Sequence, residues 1–357
     1  MRLLLINFAM DERSPVLGWQ HSVVCRLAQR CERVVVLTES VGQCDVPANV
    51  TIRRVPRVLT TPLRTLGAKW LMNVPVWHWC AREEFDAVFV HMNGEWVYRL
   101  APCWDRFDMP VLLWYAHGTV TGRLHRALRH ATAVVTSTRE GFRIPSEKVR
   151  VIGQGVDTEL FRPSASRPHS ASIVAVGRVS RRKSLTLIVD TLAWLRTNAP
   201  QYPFALRLVG PTLTRDDAAY IKELSDAVRA RGLEHAVTFD GPRPMSALPE
   251  IYGSAFLHLN LSETGSLDKT ILESLACGCP TLTSNVSAFS LFADYPELIV
   301  RDRSPEGIGR QILAVYEQRR AFSPVELRSL VVGRHDLDSY AGRVYRVLSE
   351  LTHKEAA

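Results

Sequence analysis

The chain has 357 residues, 46% of them hydrophobic and 22% charged, which is the composition of an ordinary globular protein. This length predicts about two domains, each with a sizeable core. No apolar run is long enough to cross a bilayer, and the short apolar stretch after Met1 predicts a buried first strand rather than a signal peptide.

The net charge indicates what kind of partner the protein binds, and the cysteines indicate the compartment in which it works. A formal net charge of +8 predicts attraction to something anionic, and the candidates are a nucleotide sugar, an anionic lipid surface or nucleic acid. The 7 cysteines form no Cys-x-x-Cys pair and have no accompanying histidine spacing. We therefore expect reduced core cysteines, no metal site and a cytoplasmic location.

In the first half, apolar runs alternate with helical or loop stretches, which predicts a parallel, doubly wound sheet. The strands are predicted at residues 2–8, 34–38, 86–91, 111–115 and 133–137. Gly18 and Trp19 open the helix after the first strand and its loop, and His91 ends the third strand. His117 follows the fourth strand, where it could bind a sugar hydroxyl or satisfy a backbone carbonyl at a turn.

Two segments of the first half are strongly basic. Residues 53–79 mix arginines and a lysine with tryptophans, and a short helix over residues 123–130 carries Arg123, His125, Arg126, Arg129 and His130. Basic residues beside exposed aromatic ones are typical of a contact with a membrane surface. The alternative is that the tryptophans are core residues and the arginines form a solvated face.

A stretch rich in Pro and Ser, residues 161–170, is predicted to link two domains. The second half repeats the alternation, with strands predicted at 172–177, 205–210, 236–239, 256–260 and 280–284. The predicted domains are residues 1–162, residues 170–335 and an amphipathic C-terminal helix within 336–357. Two such halves would leave a cleft between them, where small ligands commonly bind.

The first strand of the second half ends in Gly177-Arg178, and Lys183 follows just before a helical pattern that begins at Leu185. In open parallel α/β sheets, ligands bind at the carboxyl ends of the strands. A guanidinium together with an ammonium suits a diphosphate better than either does alone. The pattern therefore predicts a diphosphate site.

Residues 257–280 read as a strand, a polar Gly/Ser turn and a short helix that stops at Gly278. This geometry directs backbone N–H groups and a helix dipole at an anion. Glu273 in that helix could accept hydrogen bonds from ribose hydroxyls. The alternative is a helix docked on the surface whose glutamate is merely solvated.

The ordered set of motifs resembles the GT-B glycosyltransferases of the large retaining family 4, which use nucleotide-diphosphate sugars. The matching motifs are His117-Gly118, the run from Gly153 to Phe161, Gly177-Arg178 with Lys183, Val209-Gly210-Pro211, Phe239-Asp240-Gly241 and the run from Leu272 to Pro280. The family usually has two glutamates with seven residues between them. Glu273 matches the second, but Gly265 stands where the first should be, with Glu263 two positions early and Asp268 three positions late.

The resemblance implies an α/β protein of two Rossmann-like, doubly wound domains facing a cleft, with the last helix crossing back to the first domain. It implies sugar transfer to a glycan, lipid-linked or other hydroxyl acceptor, with retained configuration and without a metal or cofactor. The catalytic residues would be His117, Arg178 and Lys183. The donor would be bound by Gly177, Arg178, Lys183, Gly210, Gly265, Ser266, Leu267, Asp268, Lys269, Leu272 and Glu273, and the acceptor by Gly18, Trp19, His91 and Gly155.

Two other functions stay open. A sugar-nucleotide epimerase can share this architecture, and it would consume the donor without an acceptor. A non-catalytic nucleotide-binding or nucleic-acid-binding protein would use the basic first half, although we expect no nucleic acid as partner. We expect the protein in the cytoplasm, with a peripheral contact to an anionic membrane as a further expectation.

Overall fold

A computed structural model describes residues 1–55, 73–164, 171–263, 265–318 and 322–353 of the chain. The chain forms two compact units, Met1–Gln154 with Leu337–Ala357, and Gly155–Asp336. Most of the basic, tryptophan-containing segment (residues 56–72), part of the predicted linker (165–170) and Thr264 lie outside the described residues.

The first unit contains a seven-stranded sheet whose strands all pair in parallel, in the order β3-β2-β1-β4-β5-β6-β7. Its strands are β1 (Arg2–Met10), β2 (Arg33–Val41), β3 (Val50–Arg54), β4 (Ala87–His91), β5 (Val111–Trp114), β6 (Ala133–Thr136) and β7 (Val149–Val151). Apolar side chains of the central strands pack into two cores, one on each face of the sheet.

Helices cover both faces of this sheet, as a parallel sheet requires. They are α1 (Gly18–Ala28), α2 (Asn73–Glu83), α3 (Gly94–Arg99), α4 (Ala101–Arg106) and α5 (Gly122–His130), with α12 (Leu337–His353) from the C-terminus. Helix α12 packs against α1. Its Tyr340 is fully buried between the rings of Trp19 and Trp114.

Strands β3 and β7 are absent from the sequence-based prediction, although the other five strands of this sheet are within it. Both form edges of the sheet. An edge strand has neighbours on one side only, so it needs fewer apolar residues. Val50–Arg54 ends in two arginines and Val149–Val151 is short, and neither shows the apolar run that marks a central strand.

The second unit contains a five-stranded parallel sheet in the order β10-β9-β8-β11-β12. Its strands are β8 (Ser172–Val176), β9 (Ala205–Val209), β10 (Val237–Gly241), β11 (Leu257–Asn260) and β12 (Thr281–Thr283). Its helices are α6 (Leu185–Asn198), α7 (Arg215–Ala230), α8 (Leu248–Gly253), α9 (Lys269–Ala276), α10 (Pro305–Glu317) and α11 (Pro324–Ser329). Each strand predicted from the sequence of this half matches one of these five to within a few residues.

The boundary between the units lies at residue 154, earlier than residue 162, the predicted end of the first domain. The backbone N–H of Val156 donates to the carbonyl of His335, and Phe161 is buried in the core of the second unit. Arg328 donates to the carbonyls of Thr158 and Phe161. These contacts place residues 155–162 with the second unit.

The helices in the described part of the chain include none that is both long and apolar enough to span a membrane. Helix α12 is the longest of those given above, and charged residues alternate with its apolar ones.

Candidate functional site

A shallow hollow, partly open to solvent, lies at the carboxyl end of β8 in the second unit. Strand order reverses beside β8, since β9 lies on one side of it and β11 on the other. Such a reversal is where open α/β sheets bind ligands. The hollow is lined by Gly177, Arg178, Lys183, Asn260 and the neighbouring apolar residues of β8, β9 and β11.

Two glycines let the backbone close in around this hollow. Gly177 has φ +140° and Gly210 has φ +149°, values that L side chains rarely adopt. A Cβ atom on Gly210 would lie 1.8 Å from the carbonyl oxygen of Gly177. The loops that follow β8 and β9 can therefore touch only because residue 210 has no side chain.

Arg178 is anchored by a carboxylate that the sequence analysis did not identify. Its Nε donates to Asp217 Oδ2 at 2.7 Å. The same oxygen accepts the backbone N–H groups of Leu213 and Thr214 at the start of α7. Burial opposes ionisation, but the hydrogen bonds from Arg178 and the two backbone groups lower the pKa of Asp217 to about 2.

Lys183 reaches the same hollow from a turn of 3-10 helix, Arg181–Lys183. Ser184, with φ +51°, reverses the chain between that turn and α6. A Cβ atom on Gly177 would lie 3.9 Å from Lys183 Nζ, so the ammonium group sits beside the end of β8. The two cations predicted to bind a diphosphate therefore line one hollow.

Asp268 is the immediate partner of Lys183. The Nζ of Lys183 lies 2.5 Å from Asp268 Oδ2, and the two side chains are only 17% and 10% exposed. The same oxygen accepts the side-chain amide of Asn260 at 3.1 Å. Burial opposes ionisation, but the charge of Lys183 and hydrogen bonds from Lys183, Asn260 and Ser262 lower the pKa of Asp268.

Glu273 is buried in the middle of α9, where it accepts the hydroxyl of Tyr252 at 3.2 Å. Burial raises the pKa of Glu273, while Lys269 and the Tyr252 hydroxyl act in the opposite direction. Burial lowers the pKa of Lys269 to about 8, against the influence of Glu273 and Asp268. Glu273 is therefore oriented by neighbours and is not merely a solvated side chain.

The loop before α9 carries the remaining predicted donor-binding residues. Gly265 has φ +70°, and the carbonyl of Ser266 accepts the side-chain amide of Asn285 at 2.9 Å. Leu267 and Leu272 are only 3% and 0% exposed and belong to the core of the second unit. Their side chains hold the loop and the helix in place, which leaves their backbone groups as the atoms that could contact a donor.

Glu263, the other carboxylate considered for the missing glutamate, points elsewhere. Its side chain is exposed and pairs with Arg303. Asp268, by contrast, is bonded to a residue of the hollow. In the loop between β11 and α9, the carboxylate beside the predicted diphosphate site is thus Asp268.

The site residues predicted in the first unit lie in two places, the loop after β5 and the buried core beside α1. The backbone N–H of His117 donates to the carbonyl of Gly141, and its Nδ1 accepts the N–H of Thr119 at 3.2 Å. This half-buried histidine lies beyond the carboxyl end of β5. The contacts hold the ring against the turn, as expected of a histidine with a structural role.

Trp19 and His91 are core residues rather than surface contacts. Their ring centroids are 5.1 Å apart, and the ring of His91 stacks on Trp114. Gly18 is also buried, because the start of α1 packs closely against the carbonyl of Glu12. The structure therefore does not place these three predicted acceptor-binding residues at an open surface. Gly155 is the first residue of the second unit.

Helix α5 keeps Leu124 and Ala127 in the core and exposes a basic face. The exposed basic residues are Arg123, His125, Arg126, Arg129 and His130. At the two ends of the other basic segment, Arg53 stacks over the half-buried ring of Trp79 at 5.1 Å. The exposed basic face of α5 agrees with the solvated face that was the alternative to a membrane contact. Trp79, which is only half buried, agrees with that alternative in part.

In the part of the chain that the structure describes, no three His, Cys, Asp or Glu residues are grouped as metal ligands would be. The sequence does contain an Asp-x-Asp triplet, Asp336-Leu337-Asp338. Asp336 accepts the backbone N–H of Gly333, and Asp338 pairs with Arg30. Each of these carboxylates thus has a partner within its own unit.

Asp217, Asn260 and Tyr252 were missed by the sequence analysis. Asp217 had a weak signal, because Thr214 followed three residues later by an acid is typical of a helix N-terminus, and the structure shows the capping box there. That signal predicts a cap and not a partner for Arg178. Nothing in the sequence pairs Tyr252 with Glu273, which are 21 residues apart.

Residues 170–318 match the sequence model of a family described as "Glycosyl transferases group 1". The chain is 25% identical to mannosylfructose-phosphate synthase of Agrobacterium fabrum over 155 residues, which cover 41% of this chain and 34% of that protein. It is 29% identical to D-inositol 3-phosphate glycosyltransferase of Jonesia denitrificans over 176 residues, or 45% of this chain and 41% of that protein. The chain therefore spans less than half the length of these curated relatives.

The fold matches solved structures over nearly the whole chain. HepE of Anabaena, solved in complex with UDP and glucose, superimposes with a TM-score of 0.79 at 18% identity, covering 98% of this chain and 100% of HepE. An identity this low shows a shared fold and not a shared substrate. The chain thus has the GT-B fold, and its residues 170–318 resemble the group 1 glycosyltransferases in sequence.

Proposed function

We propose that this protein transfers a sugar from a nucleotide-diphosphate sugar to a hydroxyl acceptor, with retained configuration. The observation that carries the proposal is that Gly177, Arg178 and Lys183 line one hollow at the carboxyl end of β8. HepE has been solved in complex with UDP and with UDP-glucose, which supports a nucleotide sugar as donor.

The proposed reaction places negative charge where the cations are. When the bond between the sugar C1 and the β-phosphate oxygen breaks, the electron pair stays on the phosphate and an oxocarbenium-like sugar forms. Arg178 and Lys183 would stabilise that phosphate as preorganised donors. The acceptor oxygen then attacks C1 from the same face, and its proton moves to the β-phosphate oxygen.

Glu273 is our candidate for binding the ribose of the donor. A carboxylate accepts strong hydrogen bonds from hydroxyl groups, and Tyr252 holds this one in place. In the first unit, His117 is our candidate for contact with a sugar hydroxyl. Both roles are proposals that follow the resemblance and the position of each residue.

Replacing Glu273 with glutamine should weaken binding of a nucleoside diphosphate by about tenfold, because a neutral amide is a poorer acceptor for ribose hydroxyls. The amide can still accept from Tyr252, so the fold should persist. Isothermal titration calorimetry measures the effect, and Glu263→Gln is the matched control because that carboxylate is exposed and paired with Arg303. Equal affinities for the wild type and Glu273→Gln would remove the ribose role.

We further propose that the reaction needs no metal ion. Arg178 and Lys183 place N–H donors at the leaving diphosphate, where a divalent cation acts in other enzymes. Transfer rates should therefore stay within about twofold when EDTA is added in excess and the protein is dialysed. A rate that falls with chelation and returns with Mg²⁺ or Mn²⁺ would contradict this.

The acceptor is proposed to be a glycan or a lipid-linked hydroxyl, and the protein is proposed to work in the cytoplasm beside an anionic membrane. The basic face of α5 supports the membrane contact, because exposed arginines are attracted to anionic lipid headgroups. Sedimentation with vesicles of phosphatidylglycerol, compared with phosphatidylcholine, tests it. Equal binding to both would argue against a charge-driven contact.

The test of the whole proposal is a panel of nucleotide sugars. The true donor should raise the melting temperature of the protein, since a ligand that binds only the folded state stabilises it. The same donor should be consumed only when an acceptor is present. Consumption without an acceptor would indicate an epimerase, and a panel without any thermal shift would overturn the proposed donor site.

A further inference from the structure

Each cation of the proposed diphosphate site is neutralised by a carboxylate of the same unit. Arg178 is paired with Asp217, and Lys183 with Asp268. Two positive and two negative formal charges therefore cancel at the carboxyl end of β8. The site attracts an anion through the direction of its N–H donors and only weakly through net charge.

The two pairs differ in how the cation is held. Arg178 has a planar group that keeps its direction, and its side chain is 41% exposed. Lys183 ends in an ammonium on a flexible four-carbon stem, which packing alone fixes poorly. The carboxylate of Asp268 supplies the missing constraint, because it is itself held by Asn260 and Ser262.

The position of Asp268 also brings its charge close to a bound diphosphate. Lys183 Nζ lies 2.5 Å from Asp268 Oδ2, so a phosphate oxygen that contacts the ammonium comes near the carboxylate as well. Like charges at such separations repel, and the repulsion is stronger in a partly buried site than in water. Asp268 thus orders the lysine and at the same time opposes anion binding.

We propose that Asp268 is a positioning residue that holds Lys183 in place for catalysis at the cost of weaker binding of the diphosphate. The proposal rests on the donor site proposed above. Asp268 then favours turnover by orienting Lys183 and disfavours binding through its negative charge. Loss of that charge should therefore strengthen binding and slow turnover.

The test is Asp268→Asn, which keeps the size of the side chain and removes its charge. Binding of a nucleoside diphosphate should become about tenfold tighter, because the repulsion is lost. At the same time kcat should fall by about tenfold or more, because Lys183 is no longer held by a charged partner. Calorimetry with UDP, GDP and ADP measures the first effect, and transfer kinetics measure the second.

Glu263→Gln is the matched control, since it removes a carboxylate from the same loop that pairs with Arg303 at the surface. It should leave both affinity and kcat within about twofold of the wild type. Weaker binding together with slower turnover in Asp268→Asn would indicate a purely structural residue and overturn the proposal. Unchanged values of both would overturn it as well.

A second measurement keeps the proposal testable if Asp268→Asn folds poorly. In Lys183→Met the buried carboxylate loses its cation, so the double variant Lys183→Met/Asp268→Asn should melt at a higher temperature than Lys183→Met alone. An equal or lower melting temperature would show that the pair is not coupled. Failure of the wild type to bind any nucleoside diphosphate would instead overturn the proposed function, while the melting comparison would still report on the pair.

Discussion

Replacing Lys183 with alanine is expected to lower kcat for sugar transfer by about 100-fold or more. The ammonium lies beside Gly177 at the end of β8, where the proposed leaving phosphate gains charge as its bond to the sugar breaks. A donor placed in advance stabilises that charge without reorganisation of solvent, so its loss affects the transition state more than the bound substrate. Steady-state kinetics with the donor identified by the nucleotide-sugar panel measure the effect.

The control for this experiment is Arg182→Ala. Arg182 is the neighbour of Lys183 in the same turn, but its side chain is exposed. Removing this charge should change kcat by about twofold at most. Because Lys183→Ala also leaves Asp268 without its cation, both variants must be assayed well below their melting temperatures. Near-normal transfer by Lys183→Ala would remove this residue from the proposed mechanism.

Gly210→Ala is expected to destabilise the second unit by about 3 kcal/mol or more and to abolish nucleotide binding. The new Cβ atom would lie 1.8 Å from the carbonyl oxygen of Gly177, and the φ of +149° is itself unfavourable for alanine. Relief of this overlap must move the loop that carries Arg178 away from its position. Chemical denaturation measures the free energy of unfolding, and calorimetry measures nucleotide binding.

Gly232→Ala is the control that separates the effect of steric overlap from the effect of backbone strain. Gly232 has φ +62°, and a Cβ atom there would meet nothing within 4 Å. That variant should lose only about 1 kcal/mol or slightly more and should bind nucleotide normally. If Gly210→Ala were as stable as Gly232→Ala, the close approach of residues 177 and 210 would not be a real constraint on the fold.

The central strands were predictable from the sequence because each is buried on both faces of a parallel sheet. Such strands need continuous apolar runs, and these runs are visible without any knowledge of the fold. The same reasoning missed Val50–Arg54 and Val149–Val151, which lie at the sheet edges. An edge strand is identified by its pairing with one neighbouring strand, and that neighbour is known only from the assembled sheet.

Site residues that lie close together in the sequence, near the end of a predicted strand, were also identified from the sequence. Gly177, Arg178 and Lys183 lie within seven residues of chain, so their common location follows from the strand and the turn that carry them. Trp19, His91 and Leu272 are the opposite case, because their positions match motifs but their side chains are buried. Burial depends on the elements packed above a residue, and local sequence does not reveal these.

By itself, the sequence determined the parallel α/β character of the chain and the place of the two cations, because both depend on short-range pattern. The tertiary structure alone decided that Asp217 holds Arg178 and that Asp268 rather than Glu263 holds Lys183. These partners are 39 and 85 residues from the cations they bind. Pairing over such distances is set by which strands lie side by side, and strand order is a property of the folded sheet.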